Sequence, residues 1–359
     1  MKGEVAYLYA FDVANEIETE KIHEILANKP FPYEIRIDHT VPKDISFYKP
    51  LAIEPPQLVS GFRGEPVRLL VRVYDVGVIS IAMRVGFEAA ELSDLLPYHK
   101  PALENGQSFD AWARQLCEQA CQSLRDAMVR GSTSSEPEAY TVFCLTDLGP
   151  AQDVNAWLNE RARAVAELLT ESQPGTLSEA QVSEVMRVRR SFANSDGVVI
   201  DWDAALAIDL SGYLDDVLYV LELANLQLEE YRVMDERLDG YLNRAYDDVK
   251  RRRFGLLGTY SATLNALRLF RVDVTKLNDE VTHISKFFGD WHLARVYLGA
   301  RERFYLDHWR NSVENRLSQL DRLYTVVNSD VGNQRMMWLE ITIVIFFAID
   351  LYAILFLKR

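Results

Sequence analysis

Apolar residues in the C-terminal part of the chain recur at alternating steps of three and four, which is the spacing of one helix face. Three such series predict long helices over 211–335, packed as an antiparallel bundle or coiled coil. The third helix is expected to run from about 290 into the C-terminal segment, with a bend near Gly332. The first series comprises Leu214, Val217, Leu221, Ala224 and Leu228.

Residues 1–210 show a different pattern, in which short alternating segments are interleaved with amphipathic ones. This pattern predicts a mixed α/β head domain of the α+β class. The predicted hairpin around Tyr74–Gly77 has Asp75 and Gly77 in its turn. Other predicted strands lie at 5–13 and 140–148 with a hairpin at 196–210, and predicted helices lie at 18–28, 89–98, 107–130 and 153–171, with another opened by Ser178.

The last long apolar run, residues 336–357, predicts one C-terminal transmembrane helix. Its 22 residues give a helix of roughly 33 Å, against a hydrocarbon core of about 30 Å. The segment shows almost no polar face, which argues against a helix on the surface of a water-soluble core. Trp338 and Tyr352 are amphipathic rings that prefer the membrane interface.

Two carboxylates, Glu340 and Asp350, interrupt this apolar run and are the candidate oligomerisation or pore residues. A carboxylate inside a membrane usually faces protein or water. A single helix cannot shelter its own Asp350, so the sequence predicts a homo-oligomer formed through this segment and the long helices. The alternatives are that Asp350 is protonated or that it pairs with another membrane protein.

Composition and charge limit the classes of function. The chain has 359 residues and a net charge of −14, which argues against general nucleic-acid binding because phosphate contacts need clustered cations. Its cysteines, Cys117, Cys121 and Cys144, show no paired framework and are typical of reduced thiols. Cys117 and Cys121 lie one helical turn apart and could contact a metal, but small buried side chains are the better interpretation.

Four adjacent basic residues close the first long helix and are candidates for contact with anionic lipid headgroups. The alternative is a helix C-terminus whose dipole favours cations. The predicted second helix is short enough to leave this turn roughly 20 Å from the bilayer, which favours the second interpretation. The four residues are Lys250, Arg251, Arg252 and Arg253.

No catalytic residue, cofactor site or metal site is predicted. The chain lacks the phosphate-binding loop, the dinucleotide-binding glycine pattern, the paired-histidine zinc motif and the serine elbow. Asp201 and Asp203 flank Trp202 and could bind a cation or act as acid and base, but surface acids are commoner. A basic cluster on a predicted helix is expected to be solvated or salt-bridged, and it comprises Arg187, Arg189 and Arg190.

The segment from Leu339-Glu340 to Ala348-Ile349-Asp350-Leu351 resembles the C-terminal signature of the "required for meiotic nuclear division protein 1" family, a domain of unknown function. Asp350 stands where that family usually has Glu, and Ile341 stands where it usually has Trp. The resemblance suggests a bacterial relative and implies a membrane-anchored, oligomeric organising protein. Mitochondrial members lie in the inner membrane facing the matrix and support translation, and no catalytic residues come with the family.

These observations predict a non-enzymatic, membrane-anchored, homo-oligomeric scaffold whose soluble head binds an unknown protein partner. The N-terminus lacks a secretory signal pattern, so the soluble part is expected in the cytoplasm at the inner (cytoplasmic) membrane, or on the matrix side if mitochondrial. The alternative is a conduit like the CorA magnesium channels, built from single-span subunits with Asp350 in the pore. A third hypothesis is an enzyme in the head, which would need a deep polar pocket there.

Overall fold

The computed structural model describes most of the chain. The chain divides into two compact units. Unit 1 comprises 1–233 and 275–310, and unit 2 comprises 234–274 and 311–359. The structure describes residues 1–18, 20–22, 31–32, 51–53, 61–131, 136–151, 153–251, 269–279 and 291–356.

A nine-stranded sheet forms the centre of unit 1, in the order β11-β12-β13-β10-β1-β8-β7-β4-β3. The described strand pairs are antiparallel except β10 and β13, which run parallel. Two pairs of short strands, β2 with β9 and β5 with β6, lie outside it. The strands are β1 (Lys2–Asp12), β2 (Glu16–Ile17), β3 (Phe31–Pro32), β4 (Leu51–Ile53), β5 (Gly61–Phe62), β6 (Glu65–Pro66), β7 (Arg68–Val73), β8 (Val78–Glu88), β9 (Met128–Val129), β10 (Glu138–Asp147), β11 (Arg189–Arg190), β12 (Asp196–Ile200) and β13 (Ala204–Asp209).

The predicted hairpin at Tyr74–Gly77 is confirmed as the connection between β7 and β8. Tyr74 N–H donates to the carbonyl of Val78 at 2.9 Å, which closes the turn. Gly77 has φ +94°, and a Cβ atom there would collide with the carbonyl oxygen of Ala14. The turn therefore requires glycine for both its backbone angle and its packing.

One face of the sheet carries the main apolar core. Alternate residues of β1, such as Tyr7 and Phe11, pack there against the short helices that follow β8 and β10. Ser108 and Ser178 cap two of these helices by accepting backbone N–H groups, which confirms the predicted N-cap at Ser178. The helices are a 3-10 helix (Leu92–His99), α1 (Phe109–Leu124), a second 3-10 helix (Arg125–Ala127), α2 (Val154–Glu160), α3 (Ala162–Leu169) and α4 (Glu179–Val185).

The other face of the sheet is covered by longer helices, so unit 1 has helices on both sides of its sheet. The first part of α5 (Asp215–Arg251) packs there, since Asp215 and Glu222 contact arginines of β8 and β7. The helix α6 (Trp291–Arg303) packs on the edge strands, where Gly299 lies against Val188. The intervening sheet residues, including Ala6 and Leu8 of β1, are fully buried.

Unit 2 is helical in its described residues. It contains the end of α5, part of a helical stretch at 269–279 and most of α7 (Leu306–Phe356). Arg316 of α7 pairs with Asp235 of α5 at 3.2 Å, and the ring of Tyr241 lies 5.8 Å from that of Phe270. The prediction of one continuous third helix is wrong, because the helix is interrupted between α6 and α7. The helix α7 then continues through Gly332 without interruption.

The predicted transmembrane helix at 336–357 is also wrong. Among the residues that the structure describes, no helix combines the length and apolar character needed to cross a membrane. The segment forms the last turns of the 51-residue helix α7. Its side chains are described between Met336 and Ile349, where the apolar residues and Glu340 are exposed. Three further predictions depended on this span and are also wrong. They are the location at a membrane, the membrane as a binding partner, and the homo-oligomer formed through the span.

Candidate functional site

The turn between β12 and β13 places one acid inside the protein and an aromatic ring outside it. Asp201 N–H donates to the carbonyl of Ala204 at 2.9 Å, which closes a tight turn. The Asp201 side chain is buried, whereas Trp202 remains 43% exposed. The hydroxyl of Tyr140 on β10 donates to the Asp201 carbonyl at 2.9 Å and holds the turn against the sheet.

The junction between α6 and α7 places a second aromatic ring on the surface. Phe304 is fully buried with its ring 4.9 Å from that of Tyr140, and the next residue, Tyr305, points outward with 48% of its surface exposed. Tyr305 has φ +52°, a left-handed conformation that is rare for a bulky residue. Its carbonyl accepts the N–H groups of His308 and Trp309, so the same residue ends one helix and starts the next.

An ion-pair network around the buried Arg303 joins the turn to the helix junction, with a buried partner in Asp201 and an exposed one in Glu184. Arg303 Nε lies 2.7 Å from Asp201 Oδ1, and Arg303 Nη1 lies 2.8 Å from Glu184 Oε1 on α4. Burial alone would lower the pKa of the Arg303 guanidinium, but Asp201 and Glu184 outweigh it and raise that pKa. The hydrogen bond from Arg303 lowers the pKa of the Glu184 carboxyl. These hydrogen bonds therefore fix both segments that carry the aromatic rings.

Three rings share this part of the surface, and we call Trp202, Tyr305 and His308 the aromatic surface. The Trp202 and Tyr305 ring centroids are 5.5 Å apart and inclined by 45°. The Tyr305 and His308 centroids are 6.1 Å apart in an edge-on arrangement. These spacings are typical of aromatic contacts, so the rings form one contiguous exposed patch.

The predicted acid pair is split by the turn. Asp201 is held by Arg303, whereas Asp203 is exposed. Partial burial raises the pKa of the Asp203 carboxyl, and the neighbouring charge of Asp201 adds to this effect. The two carboxylates therefore have different roles, with Asp201 acting as the counterion of a buried cation.

A second polar layer lies between the sheet and α5. Glu222 accepts from Arg72, and from the Tyr74 hydroxyl at 3.2 Å. Further along α5, Glu229 is fully buried and lies 2.7 Å from Arg232, which is one third exposed. Burial raises the pKa of Glu229 to about 8, and the charge of Arg232 only partly opposes this shift.

The structure does not bring the predicted site residues together. Arg187 and Arg190 pair with Glu302 of α6, and Arg189 hydrogen-bonds Asn155 and Asn159, so this cluster is salt-bridged or hydrogen-bonded as expected.

The remaining predicted residues lie in or near the long helices. Glu340 is exposed on α7, and the side chain of Asp350 lies outside the described residues. Lys250 and Arg251 end α5, with side chains that also lie outside the description. Arg252 and Arg253 lie wholly outside it. No pore or lipid contact can therefore be assigned to these residues.

Sequence reasoning missed the aromatic surface and its ion-pair network. In the sequence, Trp202 is distinguished only by the acids on either side of it. Arg303 and Tyr305 lie within what is otherwise an ordinary helical pattern. One signal was present, because Arg303 interrupts the apolar face on which α6 packs. A charged residue at an inward position indicates a buried partner.

Comparisons with known proteins concern mainly the sheet-containing part of the chain. A family model described as "Uncharacterized protein MJ0711, N-terminal domain" matches residues 2–214. The chain is also similar to the uncharacterized protein MJ0711 of Methanocaldococcus jannaschii, with 22% identity over 209 residues. That alignment covers 58% of this chain and 62% of the relative, so less than two thirds of the relative's length is matched.

The resemblance to the "required for meiotic nuclear division protein 1" family is therefore wrong. It depended on a short apolar segment with two acids at the C-terminus, a pattern that many apolar helices can share. The family match instead lies on 2–214 and contains Asp201 and Trp202, whereas Arg303 and Tyr305 fall outside it.

Proposed function

The chain belongs to the family of the N-terminal domain of uncharacterized protein MJ0711, and we propose that it is a non-enzymatic scaffold whose unit 1 binds a protein partner. The observation that carries this proposal is the aromatic surface of Trp202, Tyr305 and His308. Tryptophan and tyrosine dominate the energetics of protein interfaces because they bury a large rigid area at low entropic cost.

The conformation of Tyr305 favours a binding role over a purely structural one. A left-handed residue costs roughly 1–2 kcal/mol for any side chain with a Cβ, and Gly or Asn normally occupies such a helix end. Tyr305 remains 48% exposed, so burial in the core does not offset this free-energy cost. Strained, exposed residues of this kind cluster at binding sites.

The ion-pair network supports the same proposal because it makes the surface rigid. Asp201 precedes Trp202, and Arg303 lies two residues before Tyr305, so the contact between them fixes the backbones that carry both rings. A surface whose rings are held in place before binding loses less conformational entropy when a partner docks.

Enzymatic and conduit functions have less support. In the described part of the chain, no group of three or more His, Cys, Asp or Glu is arranged to hold a metal ion. The buried carboxylates Asp201 and Glu222 are each engaged by an arginine, as in structural ion pairs. The conduit hypothesis requires a membrane-crossing helix, and the described part of the chain contains none.

The proposal predicts a partner that contacts the aromatic surface in cells. With benzoylphenylalanine in place of Trp202, irradiation is expected to give one discrete cross-linked adduct. Adding the Tyr305→Asn substitution should remove most of that adduct, because Tyr305 is the ring of the aromatic surface that contacts both of the others. The measurement is adduct yield by gel and mass spectrometry of the tagged chain.

Phe192 provides the matched control position, since it is aromatic, 79% exposed and belongs to unit 1. The same cross-linker at Phe192 should not give the Trp202 adduct. Equal adducts at both positions, no adduct at Trp202, or a yield unaffected by Tyr305→Asn would each overturn the proposal.

Tyr305→Asn is expected to preserve the fold. Asparagine tolerates the left-handed conformation, so relief of about 1 kcal/mol offsets the loss of ring contacts worth about 0.5–1.5 kcal/mol. Its free energy of unfolding should therefore stay within about 1 kcal/mol of the wild-type value in urea denaturation. A much larger loss would show that the Tyr305 ring has a structural role.

A further inference from the structure

Two of the three cysteines face each other on α1. Cys117 and Cys121 are four residues apart on the same helix, and their Sγ atoms are 4.0 Å apart. Cys117 is buried and Cys121 is half-buried, so solvent reaches the pair only through Cys121. Residues four apart on an ideal helix have Cα atoms about 6 Å apart, which a disulfide can span, but their Cβ atoms are about 5–6 Å apart, whereas a disulfide needs about 3.5–4.5 Å. A disulfide between them therefore requires the helical turn to distort.

We propose that Cys117 and Cys121 are a redox-active thiol pair that forms a reversible disulfide by exchange with a small disulfide such as oxidised glutathione. This goes beyond the proposed function and depends only on α1. The Sγ atoms must approach from 4.0 Å to about 2.05 Å, which the short helical segment resists. Strained, accessible disulfides are easily reduced again, as regulatory disulfides are.

The order of the two steps follows from burial and hydrogen bonding. The contact between the two sulfur atoms lowers the pKa of Cys121, and the same contact together with burial raises the pKa of Cys117. The Cys121 thiolate attacks the small disulfide and releases one small thiolate. Cys117 Sγ then attacks Cys121 Sγ and releases the second small thiol, which takes up the Cys117 proton. The two protein thiols are thereby oxidised, and the small disulfide is reduced to two thiols.

Cys144 provides an internal control. It lies on β10, is fully buried, and its thiol donates weakly to the Val142 carbonyl at 3.8 Å. Burial raises the pKa of Cys144 well above its ordinary range, so the thiol stays protonated and unreactive. The native chain is therefore expected to lose two of its three thiols to oxidised glutathione.

The test uses the folded full-length chain incubated with oxidised glutathione and analysed by intact mass. Wild type and Cys144→Ser should each lose two hydrogens, and a reducing agent should restore both thiols. Cys117→Ser should instead keep one glutathione, because the resolving thiol is missing, and Cys121→Ser should not react. A stable glutathione adduct on wild type, or no loss of thiols from it, would overturn the proposal.

Discussion

Replacing Arg303 with methionine is expected to lower the free energy of unfolding by about 3–5 kcal/mol, the usual cost of leaving a buried charge without its partner. Arg303 and Asp201 are 7% and 10% exposed, so water cannot replace the lost guanidinium. Methionine keeps much of the aliphatic volume, which limits the contribution of a cavity. Urea denaturation of the full chain, followed by circular dichroism, measures the change.

Arg187→Met is the matched control for this substitution. Arg187 pairs with Glu184 and Glu302, but it is 48% exposed, and surface pairs contribute about 0–1 kcal/mol. The double substitution of Arg303→Met with Asp201→Asn should recover part of the loss, because no uncompensated charge stays buried. Equal effects of Arg303→Met and Arg187→Met would show that the buried pair does not stabilise unit 1.

Local sequence patterns predicted much of the sheet. The β7–β8 hairpin, β1 and β10 were predicted because alternation, β-branched residues and turn glycines are local signals. The pairing of β10 between β1 and β13 was not predictable in this way, since paired residues such as Ala10 with Glu138 and Thr141 with Ala204 are 128 and 63 positions apart. Residues 153–171 form two helices rather than one, with Arg161 between α2 and α3.

The candidate site was not predictable because its parts meet only through tertiary structure. Asp201 and Arg303 are 102 residues apart, and no periodicity relates them. Tyr305 adopts a left-handed conformation without the Gly or Asn that normally signals a helix end. The sequence pattern therefore indicated a continuous third helix where the structure has a break.

At the C-terminus, by contrast, a strong local signal, the hydropathy of the segment, leads to a wrong prediction. Hydropathy over 336–357 predicts a membrane span, and Asp350 within that span predicts oligomerisation. In the structure this segment continues the long helix α7, and no helix among the described residues is long and apolar enough to cross a membrane. Without a span, the position of Asp350 no longer requires a second copy.

Glu229→Gln is expected to stabilise the chain at neutral pH and to remove a pH dependence from its stability. The folded chain keeps a proton on Glu229 up to a pKa of about 8, whereas the unfolded chain loses it near 4.5. The buried carboxyl therefore has little effect on stability below about pH 4.5. Its destabilising contribution grows as the pH rises from 4.5 to 8, and is constant above that.

The expected size follows from linkage at 1.36 kcal/mol for each pKa unit. At pH 7 the Gln variant should exceed wild type by about 3 kcal/mol as an upper bound, and at pH 4.5 the two should be nearly equal. Asp12 and Glu138 on the sheet raise the pKa of Glu229 through their charge, and Arg232 lowers it. Gln resembles the protonated carboxyl in shape, so packing is retained.

Glu222→Gln is the contrasting substitution on the same helix, and it separates loss of charge from loss of a counterion. Glu222 is 2% exposed and pairs with the buried Arg72, so its neutralisation should lower the free energy of unfolding across the whole pH range. Urea denaturation from pH 5 to 9 compares both variants with wild type. If Glu229→Gln showed the same pH slope as wild type, Glu229 would be ionised in the folded chain and Arg232 would be a sufficient counterion.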